Sequence, residues 1–130
     1  MMVVDASALV AILLNEPEKA DLIRALTSTP GSLSPVGYWE AHTRLHSFKG
    51  AAGVADLEAL IQMFEIRIVP ADGDTARMAS RTQVTFGKRT PARLNLGDCF
   101  AYALARELDA PLLYKGDDFT RTDVKSVLPD

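Results

Sequence analysis

Four acidic positions stand far apart in this chain: Asp5, Glu40, Asp98, and the adjacent pair Asp117 and Asp118. Three of them fall where a β-strand is expected to hand over to a helix or loop, and Glu40 falls on a helix between. Brought to one place, they would form a metal site. Hard cations such as Mg²⁺ take oxygen ligands, keep several waters and are commonly held by one or two carboxylates plus substrate phosphate. Without a cation such carboxylates repel, and some hold protons at neutral pH. With a cation, water is activated for attack on phosphorus and charge growing on the phosphoryl oxygens is stabilised. Phosphodiester hydrolysis is the chemistry this set suits, and it requires no histidine. His42 and His46, one turn apart on the Glu40 helix, are only a weak metal signal, and packed or half-exposed helix residues are the plainer reading.

Each acid also has a plain structural reading. Asp5 could cap a helix, Glu40 could be a solvated helical acid, Asp98 a first-turn acid favoured by the helix dipole, and Asp117 with Asp118 an ordinary turn. What favours a site is the recurrence of an acid at the same end of successive strands, in a frame that is otherwise apolar.

The elements that must position these acids are legible from pattern. Met2-Val3-Val4 is a short apolar run ending at Asp5, the profile of a buried parallel strand, and in open α/β sheets ligands bind beyond the C-terminal strand ends. Ser7 is expected to cap a helix over 8–14, followed by a second helix over 18–26. A short strand is expected at 32–34, and Pro35 can open the next helix, where its missing N–H costs nothing. That helix, 36–48, carries Glu40 and stops at Lys49-Gly50. The next, 53–64, completes a hairpin and shows Leu57, Leu60, Ile61 and Phe64 on one face, a stripe wide enough for the core or a dimer contact. A β-branched strand at 66–69 and a helix from Asp72 and Asp74 to about Val84 follow. Residues 86–95 read as a basic loop, and Asn95 caps a helix containing Asp98 that ends near Asp109. Leu112-Leu113-Tyr114 is a fourth strand, and 125–128 a weak fifth. Strands separated by helical crossovers require a mostly parallel sheet, so the expected fold class is α/β, a three-layer α/β/α sandwich.

Bulk properties set limits. Residues 1–130 suit one domain with a single core. No run approaches the roughly 20 apolar residues of a membrane span, so no signal peptide or anchor is visible and a cytoplasmic location is expected. The single cysteine, Cys99, agrees with a reducing compartment and reads as a buried structural thiol. A net charge of −3 argues against a protein that coats nucleic acid over its whole surface. Locally, Arg77, Arg81, Lys88, Arg89 and Arg93 crowd one segment, which is either a solvated face or a phosphate-contacting rim around an acidic centre.

Taken together, Val4-Asp5-Ala6-Ser7-Ala8-Leu9, Glu40, the run 94–103 (Leu-Asn-Leu-Gly-Asp-Cys-Phe-Ala-Tyr-Ala) and the run 112–119 (Leu-Leu-Tyr-Lys-Gly-Asp-Asp-Phe) make the chain resemble a PIN domain, and more narrowly the VapC toxins of bacterial toxin–antitoxin pairs. The resemblance spans nearly the whole chain, and its most specific part is 94–124. It implies a compact α/β/α fold, Mg²⁺- or Mn²⁺-dependent endoribonuclease activity on structured RNA such as tRNA or rRNA, a cognate VapB-type antitoxin, and a homodimer. Carried over residue by residue, it makes Asp5 and Asp98 the principal metal ligands and Glu40 the third acid. The fourth is Asp117, which the strand end aims more directly, or Asp118, which precedes Phe119 as in the family's motif. Ser7 matches a supporting polar position. Lys88, Arg89 and Arg93 could hold RNA phosphates or an acidic antitoxin tail, and the 57–64 stripe could take that tail's apolar anchors.

Rival readings are weaker. A receiver-like signalling domain begins with adjacent acids on its first strand and places its phosphoacceptor after the third, whereas here Asp5 stands alone and the third strand ends in Val69-Pro70. A haloacid-dehalogenase phosphatase needs an acid where this chain has Ser7. A catalytically silent PIN-like module that binds RNA or protein would be favoured by a missing carboxylate, and none is missing.

Overall fold

The computed structural model describes residues 1–129. Its centre is a four-stranded sheet of β1 (Met2–Val4), β2 (Gly31–Leu33), β3 (Arg67–Ile68) and β4 (Leu112–Leu113) in the order β3-β2-β1-β4. Every pairing is parallel, with Met2 opposite Gly31, Val4 opposite Leu113 and Leu33 opposite Ile68. Strand alternation sends Met2, Val4, Leu33 and Leu113 into one apolar layer and Val3 and Leu112 into another. The first layer is closed by α1 (Ala6–Leu13), α2 (Lys19–Ser28) and α3 (Pro35–Met63), and the second by α4 (Gly73–Phe86) and α5 (Leu96–Leu108). The three-layer expectation is met, and the sheet is wholly parallel. No helix among the described residues is long and apolar enough to cross a membrane.

The connections run from β1 toward β2 on one side, while β4 pairs on the other side of β1. The chain therefore splits beyond the C-terminal ends of β1 and β4, where such sheets open a crevice. Asp5 stands at that point, its N–H donating to the Leu113 carbonyl at 2.9 Å.

Local differences from the sequence expectation have identifiable causes. Asp5, not Ser7, is the N-cap of α1, accepting from the Ser7 N–H, and the Ser7 hydroxyl is engaged instead in a long-range contact with the Lys115 N–H. β2 ends at Leu33 because Ser34 caps α3 by accepting from the Val36 N–H at 3.1 Å, with Pro35 in the first turn as expected. The weak strand at 125–128 shrinks to one bridge between Leu112 and Ser126. The stripe over 57–64 is no docking face, because Leu57, Leu60 and Ile61 are buried in the first core with Phe64 packed against it.

The expected hairpin is present inside α3, which breaks at Gly50 with φ 62°. A positive φ favours glycine, which has no Cβ to clash there. The halves fold back on each other so that the Tyr38 hydroxyl donates to Glu58 at 2.5 Å. A Cβ on Gly53 would stand 2.5 Å from the Leu45 carbonyl oxygen, so glycine sets how closely the two halves approach. The expected result of Gly53→Ala is a loss of about 1–3 kcal/mol in urea unfolding, since the obstacle is backbone that cannot move aside; a neutral effect would mean the hairpin opens freely.

Candidate active site

A cleft of about 300 Å³ opens beyond the C-terminal edge of β1 and β4. Asp5, Ala6, Ser7 and Val10 line it from the start of α1, Trp39, Glu40, Thr43 and Arg44 from α3, Asn95 and Asp98 from α5, and Lys115 and Asp118 from the segment after β4. Elements distant in sequence thus bring Asp5, Glu40, Asp98 and Asp118 to one cleft, and a fifth acid, Glu16 beyond α1, lines it paired with Lys115 at 3.6 Å.

Two of these acids are fixed by helix ends, where backbone amides lack intrahelical partners. Asp5 Oδ2 accepts from both the N–H and the hydroxyl of Ser7, at 3.0 and 2.6 Å. Ser7 Oγ in turn accepts from the Lys115 N–H at 3.0 Å, tying β4's end to β1's acid. In α5, Asn95 and Asp98 form a reciprocal capping box: Asn95 accepts from the Asp98 N–H at 2.8 Å and Asp98 from the Asn95 N–H at 3.0 Å. Both acids are buried. Glu40, half-buried, lies over Gly97, and a Cβ there would overlap its carboxyl group.

The electrostatics are those of crowded acids. Burial raises the Asp5 carboxyl above its ordinary value, partly opposed by its hydrogen bonds from Ser7. Burial, then the charges of Asp5 and Asp98, push Glu40 up to about 7, with Arg44 pulling the other way. Asp98 is raised to about 6, mainly by burial, against the hydrogen bond from Asn95. Asp118 is exposed, but its charge raises all three.

The sequence left Asp117 and Asp118 open as the fourth acid, and the structure places them in different cavities. Asp117 lines a different cavity with Glu18 and Thr120, and Asp118 faces the carboxylates. His42 and His46 stack on each other, centroids 6.4 Å apart, outside the cleft. Of the basic loop, Lys88 comes near enough for its charge to act on Asp98, whereas Arg89 and Arg93 are exposed and do not line the cleft. Cys99 is buried in the second core. Sequence reasoning missed Trp39, Thr43 and Arg44 as cleft residues, although their spacing around Glu40 places them on its side of the helix.

The donor set suits a hard divalent cation: carboxylate, hydroxyl and amide oxygens, with no thiol or imidazole in the cleft. Among the described residues no three Asp, Glu, His or Cys side chains close on a single point. The fit therefore rests on oxygen donors and on a field of mutually repelling acids, and Mg²⁺ commonly uses only one or two carboxylates directly.

The PIN domain family model matches residues 2–125. The chain belongs to the PIN domain family. Within that family, Ribonuclease VapC of Mycolicibacterium smegmatis is 40% identical over 128 residues, covering 97% of this chain and 99% of that protein. Ribonuclease VapC42 of Mycobacterium tuberculosis H37Rv is 37% identical over 127 residues, covering 95% and 97%. The PIN fold of this chain superposes on Mycobacterium tuberculosis VapC20, described as a sarcin-ricin loop cleaving toxin, with a TM-score of 0.82 at 18% identity, over 99% of this chain and all of that one. A toxin–antitoxin complex from Klebsiella pneumoniae matches at 0.70 and 15% identity, over 95% of this chain and 93% of that one. At these identities the structural likeness concerns the fold.

The raised carboxyls of this PIN domain set the sign of its pH dependence. Between the ordinary carboxylate range and about pH 7 the folded protein binds more protons at Glu40 and Asp98 than the unfolded chain does, so stability falls as pH rises through that window. Asp72, held low by its hydrogen bonds from Thr75, has finished titrating below it. Urea unfolding of metal-free protein should show the midpoint declining from about pH 5 to about pH 7, with a flatter profile in Asp98→Asn; a rising midpoint would contradict the crowding of these acids.

Proposed function

We propose that this chain is a Mg²⁺- or Mn²⁺-dependent endoribonuclease, the toxin of a toxin–antitoxin pair, cutting structured cellular RNA such as tRNA or rRNA. The observation that carries this reading is one cleft edged by Asp5, Glu40, Asp98 and Asp118, in which burial and then the charges of the other acids raise each buried or half-buried carboxyl. Full-length identity of 37–40% to proteins named VapC ribonucleases supports it.

In this reading Asp5, Asp98, Glu40 and Asp118 would hold the cation, which supplies activation of water and stabilisation of charge on the phosphoryl oxygens. The chain's own residues do the rest. Ser7 fixes the Asp5 carboxylate through two bonds to one oxygen, and the Asn95 amide fixes Asp98. Arg44, Lys115 and Lys88 offset the negative centre at its rim, where RNA phosphates must approach. Lys115 is partly engaged by Glu16, at 3.6 Å. A VapB-type antitoxin, a homodimer and a cytoplasmic location complete the proposal. A silent PIN-like module is the reading to expect when a carboxylate is lost, and all four are present.

Incubation of total cellular RNA with the purified protein should give cleavage with Mg²⁺ or Mn²⁺ that disappears with EDTA and in Asp5→Ala and Asp98→Ala; cleavage surviving in both variants would refute the site. Ser7→Ala, which removes the hydroxyl bond to Asp5 and keeps the one from the backbone N–H, should cut activity about 10- to 100-fold. Gly97→Ala should change stability by no more than about 1 kcal/mol, because the obstacle is a side-chain end that can swing away. Its cleavage rate should nevertheless fall to that of Glu40→Ala, with the double variant no slower than either single one. Independent, multiplying losses would show that Gly97 does not act through Glu40.

A further inference from the structure

The wall of the cleft beside Glu40 is unlike the rest of the helix surface. Trp39, the only tryptophan in the chain, is 62% exposed, belongs to neither hydrophobic core and lines the cleft with Glu40, Thr43 and Arg44. These four occupy positions i, i+1, i+4 and i+5 of α3, one side of the helix. Arg44 is steered from below by Phe48, whose ring centroid is 5.9 Å from the guanidinium carbon. An indole left mostly in water next to a carboxylate centre gains little from folding. Its neighbours on α3 in the cleft are an acid, a hydroxyl and a cation, the cleft's apolar residues Ala6 and Val10 are buried, and the exposed ring of Phe48 is met by the Arg44 guanidinium.

We propose that Trp39 is a base-stacking platform: one unpaired base of an RNA strand lies on its indole, the flanking phosphate lies against Arg44, and the adjoining phosphodiester is thereby presented to the carboxylates. The proposal rests on the nuclease reading and deepens it, making Trp39 a positioning residue that selects strands with an unstacked base. An aromatic plane suits this because every base has a π face, while the neighbouring guanidinium meets the phosphate charge. Aromatic and cation are spaced along one helix face, so a base and its own backbone can reach both.

The single tryptophan supplies a direct readout. In EDTA, a short single-stranded oligoribonucleotide titrated into the protein should quench the indole emission, and a matched strand with abasic central positions should quench little and bind about tenfold or more weakly by anisotropy. In cleavage assays Trp39→Phe should stay near wild type, while Trp39→Leu raises KM by about the same factor with kcat kept. Binding without quenching, equal quenching by the abasic strand, or equal behaviour of the Phe and Leu variants would overturn the proposal. A change in oligomeric state in Trp39→Leu would also overturn it, assigning the indole to a contact between copies. Quenching with no cleavage by wild type under any metal would reject the nuclease reading and keep the platform; cleavage without quenching would do the reverse.

Discussion

Like charges must be held together here against their own repulsion, and the groups that hold them are the free amides at two helix starts. Asp5 caps α1 and Asp98 closes the capping box of α5. The same carboxylates that crowd the cleft therefore start the helices that build it. An isolated acid could swing into water to escape its neighbours, but these two cannot without giving up the hydrogen bonds that begin α1 and α5. The sheet sets the rest of the distance: β1 is flanked by β2 and β4, so the acid after β1 and the segment after β4 reach the same crevice.

Around that centre the two faces of the sheet do different work. The layer under α1, α2 and α3 is closed by the hairpin of α3, whose two halves both bury apolar residues there while the first half presents Glu40 to the cleft from another side. The layer under α4 and α5 buries Phe119 at the turn after β4. Burial of that ring sets the register of the turn, and with it which of two adjacent aspartates faces the other acids.

Much of this was readable in advance, because crossovers, caps and breakers leave strong local marks. Pro35 at a helix start, Asn95 as a cap and the interruption near Gly50 are decided by short-range chemistry. What was misread or left open shares another cause. Asp5 and Ser7 are both good caps, and the choice between them depends on a contact with Lys115, more than a hundred residues away. Asp117 and Asp118 lie in a turn, where neither a period of 2 nor one of 3.6 says which way a side chain points. The stripe at 57–64 has the periodicity of any apolar face, and periodicity does not distinguish the chain's own core from a partner's surface. Trp39 and Arg44 were visible as residue types, but their value depends on which side of α3 meets the cleft.

The empty place at Gly97 carries a consequence for how such a chain can change over time. Glu40 occupies the volume a side chain there would need, so the two positions constrain one another despite belonging to different helices. A lineage that gained a side chain at 97 first would evict the acid, whereas one that lost the acid first would release the glycine from its restriction. The order of the two substitutions is therefore not interchangeable, and a side chain at this spot would mark an acid already lost or displaced.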